Sequence, residues 1–130
     1  MKVTEFVKRW AASTGSERKS AQSHFIDLCS VLGEPWPGED PGNDSIYCFE
    51  KGIEKSGGGD GFADVWLNER FGWEYKGKHK DLRAAYKQLV DYHENLNSPP
   101  LLVVCDIDRY EVHTRWMNRR AGPGASATKT

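Results

Sequence analysis

With 130 residues, 38% of them hydrophobic and five each of Trp, Tyr and Phe, the chain has apolar mass for one packed core and too little for two. Its formal net charge of −1 excludes attraction of a polyanion by the molecule as a whole, so contact with nucleic acid must come from a local patch of cations. No apolar run has membrane-spanning length, the start lacks a signal-peptide core, and Cys29, Cys48 and Cys105 show no disulfide or zinc spacing, so the expectation is a soluble, cytoplasmic protein without membrane contact.

Residues 3 to 12, with Val3, Phe6, Val7, Trp10 and Ala11 on one stripe, predict a short amphipathic helix. Thr14 and Glu17 then form a capping box for a second helix. Its stripe is Ala21, Phe25, Leu28, Cys29 and Leu32, and Gly33 stops it. A loop rich in Pro, Gly and Asp covers 33 to 44, followed by a strand from Ile46 to Glu50 and the flexible glycine connection Gly57 to Gly59. Two strands of alternating pattern flank the turn Asn68, Glu69, Arg70 and read as a hairpin. A helix from about Asp81 to Leu96 and strands near 101 to 106 and 110 to 114 complete the order α-α-β-β-β-α-β-β. Residues 1–116 form the expected domain and 117–130 an expected disordered tail.

The hairpin carries the chemistry. Period-two alternation sends Phe71, Trp73 and Tyr75 to one face as core and Glu74 with Lys76 to the other, while Asp64 on the neighbouring strand can meet Glu74 across the hairpin. Two carboxylates are hard oxygen ligands of the kind that Mg2+ or Mn2+ takes. Lys76 beside them can orient an attacking water and offset charge on a phosphate. A general-base role would demand a large downward shift from an ammonium's usual value of about 10.4, and the orienting role demands none. The competing interpretation is an ordinary solvated strand face bearing a Glu and a Lys two residues apart.

Downstream, Lys76, Lys78, Lys80, Arg83 and Lys87 cluster with a single acid, Asp81. Most of them open a helix, where the macrodipole disfavours cations, and this points to an anionic partner held there. Lys78, Lys80, Arg83 and Lys87 are therefore candidate DNA contacts.

Asp64, nine intervening residues and then Glu74-Tyr75-Lys76 resemble the D-X9-EXK form of the PD-(D/E)XK nuclease motif, with Ala63 where the motif's name has Pro. Ser23–Cys29, Phe49–Lys51, Gly61–Trp66, Trp73–Lys76, Pro99–Val104 and Val112–Thr114 resemble the amino-terminal nuclease domain of MmeI-like restriction-modification enzymes, over roughly residues 15 to 116. The resemblance implies a restriction-endonuclease-like α/β fold, a central mixed sheet flanked by helices, and Mg2+-dependent cleavage of double-stranded DNA, with Mn2+ able to substitute. It implies Asp64, Glu74 and the Tyr75 backbone carbonyl as metal ligands, with Glu17 as a helper from the second helix. Gln88 and Tyr92 resemble the Q-x3-Y element of RecB-like members, with Gln88 near the water or phosphate and Tyr92 on the DNA backbone. It also implies methyltransferase and target-recognition parts, which this chain does not contain, as domains or subunits, and a homodimer is compatible with it. Two other readings are a catalytically silent DNA-binding or assembly module and a junction-resolving or repair nuclease of the same fold.

Overall fold

A computed structural model of the chain describes residues 1–13, 17–54, 60–77, 80–115 and 128–129, and for residues 17–19, 54, 60, 128 and 129 the backbone alone. The elements run α1 (Val3–Ala11), α2 (Glu17–Leu32), a 3-10 turn (Pro41–Asn43), β1 (Tyr47–Glu54), β2 (Asp60–Leu67), β3 (Phe71–Tyr75), α3 (Leu82–Tyr92), β4 (Leu101–Cys105), β5 (Tyr110–Thr114) and β6 (Thr128–Lys129). The sequence pattern held neither the 3-10 turn nor β6, and it carried α3 four residues too far. Thr14 and the loop Gly57 to Gly59 lie outside the described residues.

β1 to β5 form one mixed sheet in chain order, and β6 adds a two-residue pairing along β5. Every neighbouring pair is antiparallel except β3 and β4, which run parallel with Phe71 opposite Leu101 and Tyr75 opposite Cys105. A parallel pair needs a crossover, and α3 supplies it. Asp81 starts that helix by accepting the Arg83 amide at 2.8 Å on its side chain.

Helices cover both faces. Ala21, Phe25 and Cys29 of α2 pack with Val65, Trp73, Tyr75, Val103 and Cys105, while Leu82, Ala85, Leu89 and Tyr92 of α3 pack with Ile53, Ala63, Trp66, Leu102 and Val104. This double coverage explains why β4 reads as an unbroken apolar run rather than an alternation. Gly72 lets the turn after α3 come close, since a Cβ there would stand 2.8 Å from Leu96 Cδ1. α1 lies on α2, with the Phe6 and Trp10 rings 5.2 and 5.1 Å from the His24 ring. Val3, Val7 and Leu32, which the sequence pattern placed on buried stripes, face solvent.

Strict alternation fails at one point. Phe49 and Val65 face α2, yet their neighbours at two residues' distance, Lys51 and Ala63, lie on the α3 side, with Lys51 Nζ 4.4 Å over the Trp66 ring and Ala63 in the α3 core. The change of face occurs on both strands at opposing residues, Glu50 and Asp64, and Glu50 takes the left-handed φ of 52°. A side-chain-bearing residue enters that region at a cost, and such positions recur where a strand is re-aimed.

Candidate active site

Asp64 sits where β2 parts from β3. The β2–β3 ladder ends at Val65 opposite Trp73, and at the next position Asp64 offers its side chain in place of backbone, Oδ2 accepting the Tyr75 amide at 2.7 Å. The face switch turns this carboxylate toward the end of β3 rather than into either core. A charge-assisted bond of that length pins the carboxylate and uses one of its two oxygens.

Glu74 occupies the adjoining position on β3, on the α3 side, and only 4% of it is exposed. The solvated strand face of the competing interpretation is therefore absent, because α3 covers it. A nearly buried carboxylate is expensive unless paired, hydrogen-bonded or ligating. Lys76 follows at the strand end, half-buried, its amide donating to the Cys105 carbonyl at 2.8 Å and so tying the end of β3 to the end of β4.

From the α2 side a hydrogen-bonded chain holds the same strand end. His24 is 0% exposed, its Nδ1 2.7 Å from the Tyr75 hydroxyl and its Nε2 3.0 Å from the Tyr110 hydroxyl. A neutral imidazole donates through one nitrogen and accepts through the other, so one phenol accepts and the other donates. Burial lowers the His24 pKa to about 4, the nearby Asp27 opposing this weakly. It also pushes the Tyr75 phenol well above its ordinary value, and the Tyr110 phenol upward. All three groups stay uncharged at neutral pH. Tyr75 thus holds the site in two ways, by its amide on Asp64 and by its ring against His24.

Gln88 and Tyr92 meet on α3, Gln88 Nε2 donating to the Tyr92 hydroxyl at 3.3 Å. Tyr92 is 4% exposed within the α3 core, which leaves it no surface for the DNA contact expected of it. Its place on the apolar stripe explains it. The Glu17 side chain and Lys78 lie outside the described residues.

Lys80, Arg83 and Lys87 line a groove of about 680 Å³ between the start of α3 and the β4–β5 hairpin, together with Tyr86, Arg109 and His113. The Tyr86 and His113 rings stack at 3.9 Å between centroids and 22° between planes. Sequence reasoning missed Tyr86, Arg109 and His113 here. Tyr86 stands between Arg83 and Lys87 in the cluster itself, but nothing local in the chain announces that β5 lies alongside α3.

Among the described residues no three His, Cys, Asp or Glu side chains gather closely enough to hold a metal ion. At the end of β2 and β3 stand the Asp64 carboxylate, held on the Tyr75 amide, and the buried Glu74 carboxylate. Mg2+ is commonly held by one or two carboxylates and keeps several waters, so two hard anionic oxygen donors fit it.

The chain is mixed α/β, and it carries Asp64, Glu74 and Lys76 near the point where β2 and β3 part. No protein-family model matches this chain, no curated protein matches it, and no solved structure matches it. No helix among the described residues is long and apolar enough to cross a membrane.

Proposed function

We propose that the chain is a metal-dependent deoxyribonuclease domain of the restriction-modification or phage-defence kind, hydrolysing phosphodiester bonds in DNA. The observation that carries this reading is the Asp64 carboxylate held on the amide of Tyr75, the residue that stands between the buried Glu74 and Lys76 on β3. Carboxylate oxygens are the hard donors that a divalent cation such as Mg2+ takes, and Mg2+ is commonly held by one or two of them.

Mg2+, or Mn2+ in its place, would be held by the Asp64 and Glu74 carboxylates and the Tyr75 carbonyl, and when bound supplies Lewis acidity at the scissile phosphate and acidifies a water. The remaining work falls to the chain's own groups. The Tyr75 amide fixes Asp64 in one rotamer. Lys76 orients the attacking water and offsets negative charge that develops on the phosphate. Gln88 spends its NH2 on Tyr92, and its amide oxygen, the other end of the side chain, can accept from that water. Lys80, Arg83 and Lys87 draw the DNA backbone to the same end of the sheet.

Cleavage of supercoiled plasmid with Mg2+, with Mn2+ and with EDTA tests the reading. Metal-dependent cutting should fall on the order of a hundredfold or more in Lys76→Ala and in Asp64→Asn. Asp64→Asn is preferred to Asp64→Ala because its amide oxygen can still accept from Tyr75. Cutting that survives EDTA, or either variant cutting at the wild-type rate, would reject the assignment. Absence of cutting joined to absence of Mn2+ binding would reject it as well.

A further inference from the structure

The groove beside α3 has a composition that a surface for duplex phosphates does not require. Its acids are already engaged. Asp81 accepts the Arg83 amide at 2.8 Å and Glu111 Oε1 stands 3.3 Å from His113 Nε2, while Arg109 of the same lining donates from Nε at 3.0 Å to Asp106, which lies outside it. Among the described residues Lys80, Arg83 and Lys87 form no ion pair, and all three are exposed. Between these cations and the hairpin stand the stacked rings of Tyr86 and His113, both half-buried and both walls of the groove.

Cations alone suit any polyanion. The ring stack is selective, because in a duplex every base face is taken by its neighbours and only phosphate and groove edges remain to be touched. An unpaired strand offers both, phosphates to the cations and a bare base face to extend a stack of aromatic rings. A basic groove with an aromatic wall is the combination that single-stranded nucleic acid uses.

We infer that the groove between α3 and the β4–β5 hairpin binds an unpaired polynucleotide strand, its phosphates on Lys80, Arg83 and Lys87 and one base stacked against the Tyr86–His113 pair. The inference deepens the nuclease reading and rests on it for the identity of the polymer as DNA. Lys80 follows Lys76 by four residues, and the Arg109 guanidinium reaches the Lys80 carbonyl at 3.5 Å across the groove's end. Asp64 approaches the end of β3 from the β2 side, and the groove opens on the β4–β5 side. An unpaired segment in the groove therefore leads toward the strand end that bears Glu74 and Lys76. The substrate this favours is DNA in which a single-stranded segment adjoins the bond to be cut.

Fluorescence anisotropy on the full chain in EDTA tests this without engaging the metal site. The probes are a labelled oligodeoxythymidine, an oligouridine of equal length, and a hairpin duplex of equal charge. The oligodeoxythymidine should bind more tightly than the duplex, and the oligouridine arm reads whether the sugar is distinguished. Tyr86→Leu, which keeps apolar packing but removes the ring, should weaken single-strand binding about tenfold and leave duplex binding unchanged. Should that variant fail to fold, His113→Leu carries the same comparison. Lys87→Ala, at an exposed residue, should weaken both. Duplex bound as tightly as single strand, or a ring variant with undiminished single-strand affinity, would overturn the inference. Absence of both plasmid cutting and Mn2+ binding while this single-strand binding persists would sink the nuclease reading and leave the groove assignment standing. Metal-dependent cutting without selective single-strand binding would do the reverse.

Discussion

His24 shows how much one residue can carry when both its ring nitrogens are engaged. Protonation would turn the acceptor nitrogen into a donor, break one of the two tyrosine contacts and place a charge at a site with no exposure. With a folded pKa lowered from 6.5 to about 4, the unfolded chain binds a proton between those values that the folded chain does not. Stability from this group is complete above the unfolded pKa and is lost as pH falls through that window, to a total on the order of 3 kcal/mol. The denaturant midpoint should therefore drop between pH 7 and pH 5, and His24→Gln should flatten that dependence. An unchanged pH profile in the variant would show that other groups set it. The hairpin that carries Asp64 and Glu74, with Lys76 just past its end, was legible in the sequence because hairpin geometry follows from local pattern. The spacing could not reveal that Glu74 is buried, since that depends on where α3 lands.

Elements were legible where their pattern is local, and the misreadings have physical causes. Leu96 extends the apolar stripe of α3, yet the helix ends at Tyr92 and a turn brings Leu96 back under the same face, its amide on the Tyr92 carbonyl at 3.0 Å. Period alone does not separate a further helical turn from a turn that returns to the core. Strict alternation likewise hid the change of face at Glu50 and Asp64, and that irregularity is what aims Asp64 along the sheet. The match between α3 and β3 depends on the missing side chain at Gly72, with Leu96, Leu102 and Leu89 all within 4 Å of the position its Cβ would take. Gly72→Val should destabilise the fold by about 1–3 kcal/mol, because the surrounding leucines leave no volume for a branched side chain. Thermal unfolding reads this directly, and a wild-type midpoint would mean that α3 shifts outward without cost.

At the scale of the molecule the near-neutral charge of −1 leaves attraction of nucleic acid to local patches of cations such as the groove's Lys80, Arg83 and Lys87. Three cations there predict a slope of about −2 for log affinity of a single strand against log salt concentration. A triple Lys80, Arg83, Lys87 to alanine variant should bring the slope near zero; a slope left at the wild-type value would move the contact surface elsewhere. The strands that carry Asp64, Glu74 and Lys76 were legible in the sequence, and the groove beside them was not, because Tyr86 of α3 meets His113 of β5 through topology alone. The sheet's strand order bears on how the chain folds as well. Spatial order β1 to β5 repeats chain order, so each strand can dock on one already formed, and early steps need only short loop closures. The Tyr110–His24 hydrogen bond joins residues 86 apart, the kind of long closure expected to form late. Removing it in Tyr110→Phe should speed unfolding and leave the refolding rate unchanged, a transition-state value near zero that stopped-flow kinetics can read. On that outcome, the helix that steadies the strand end of the candidate site would be fastened late and would come loose early.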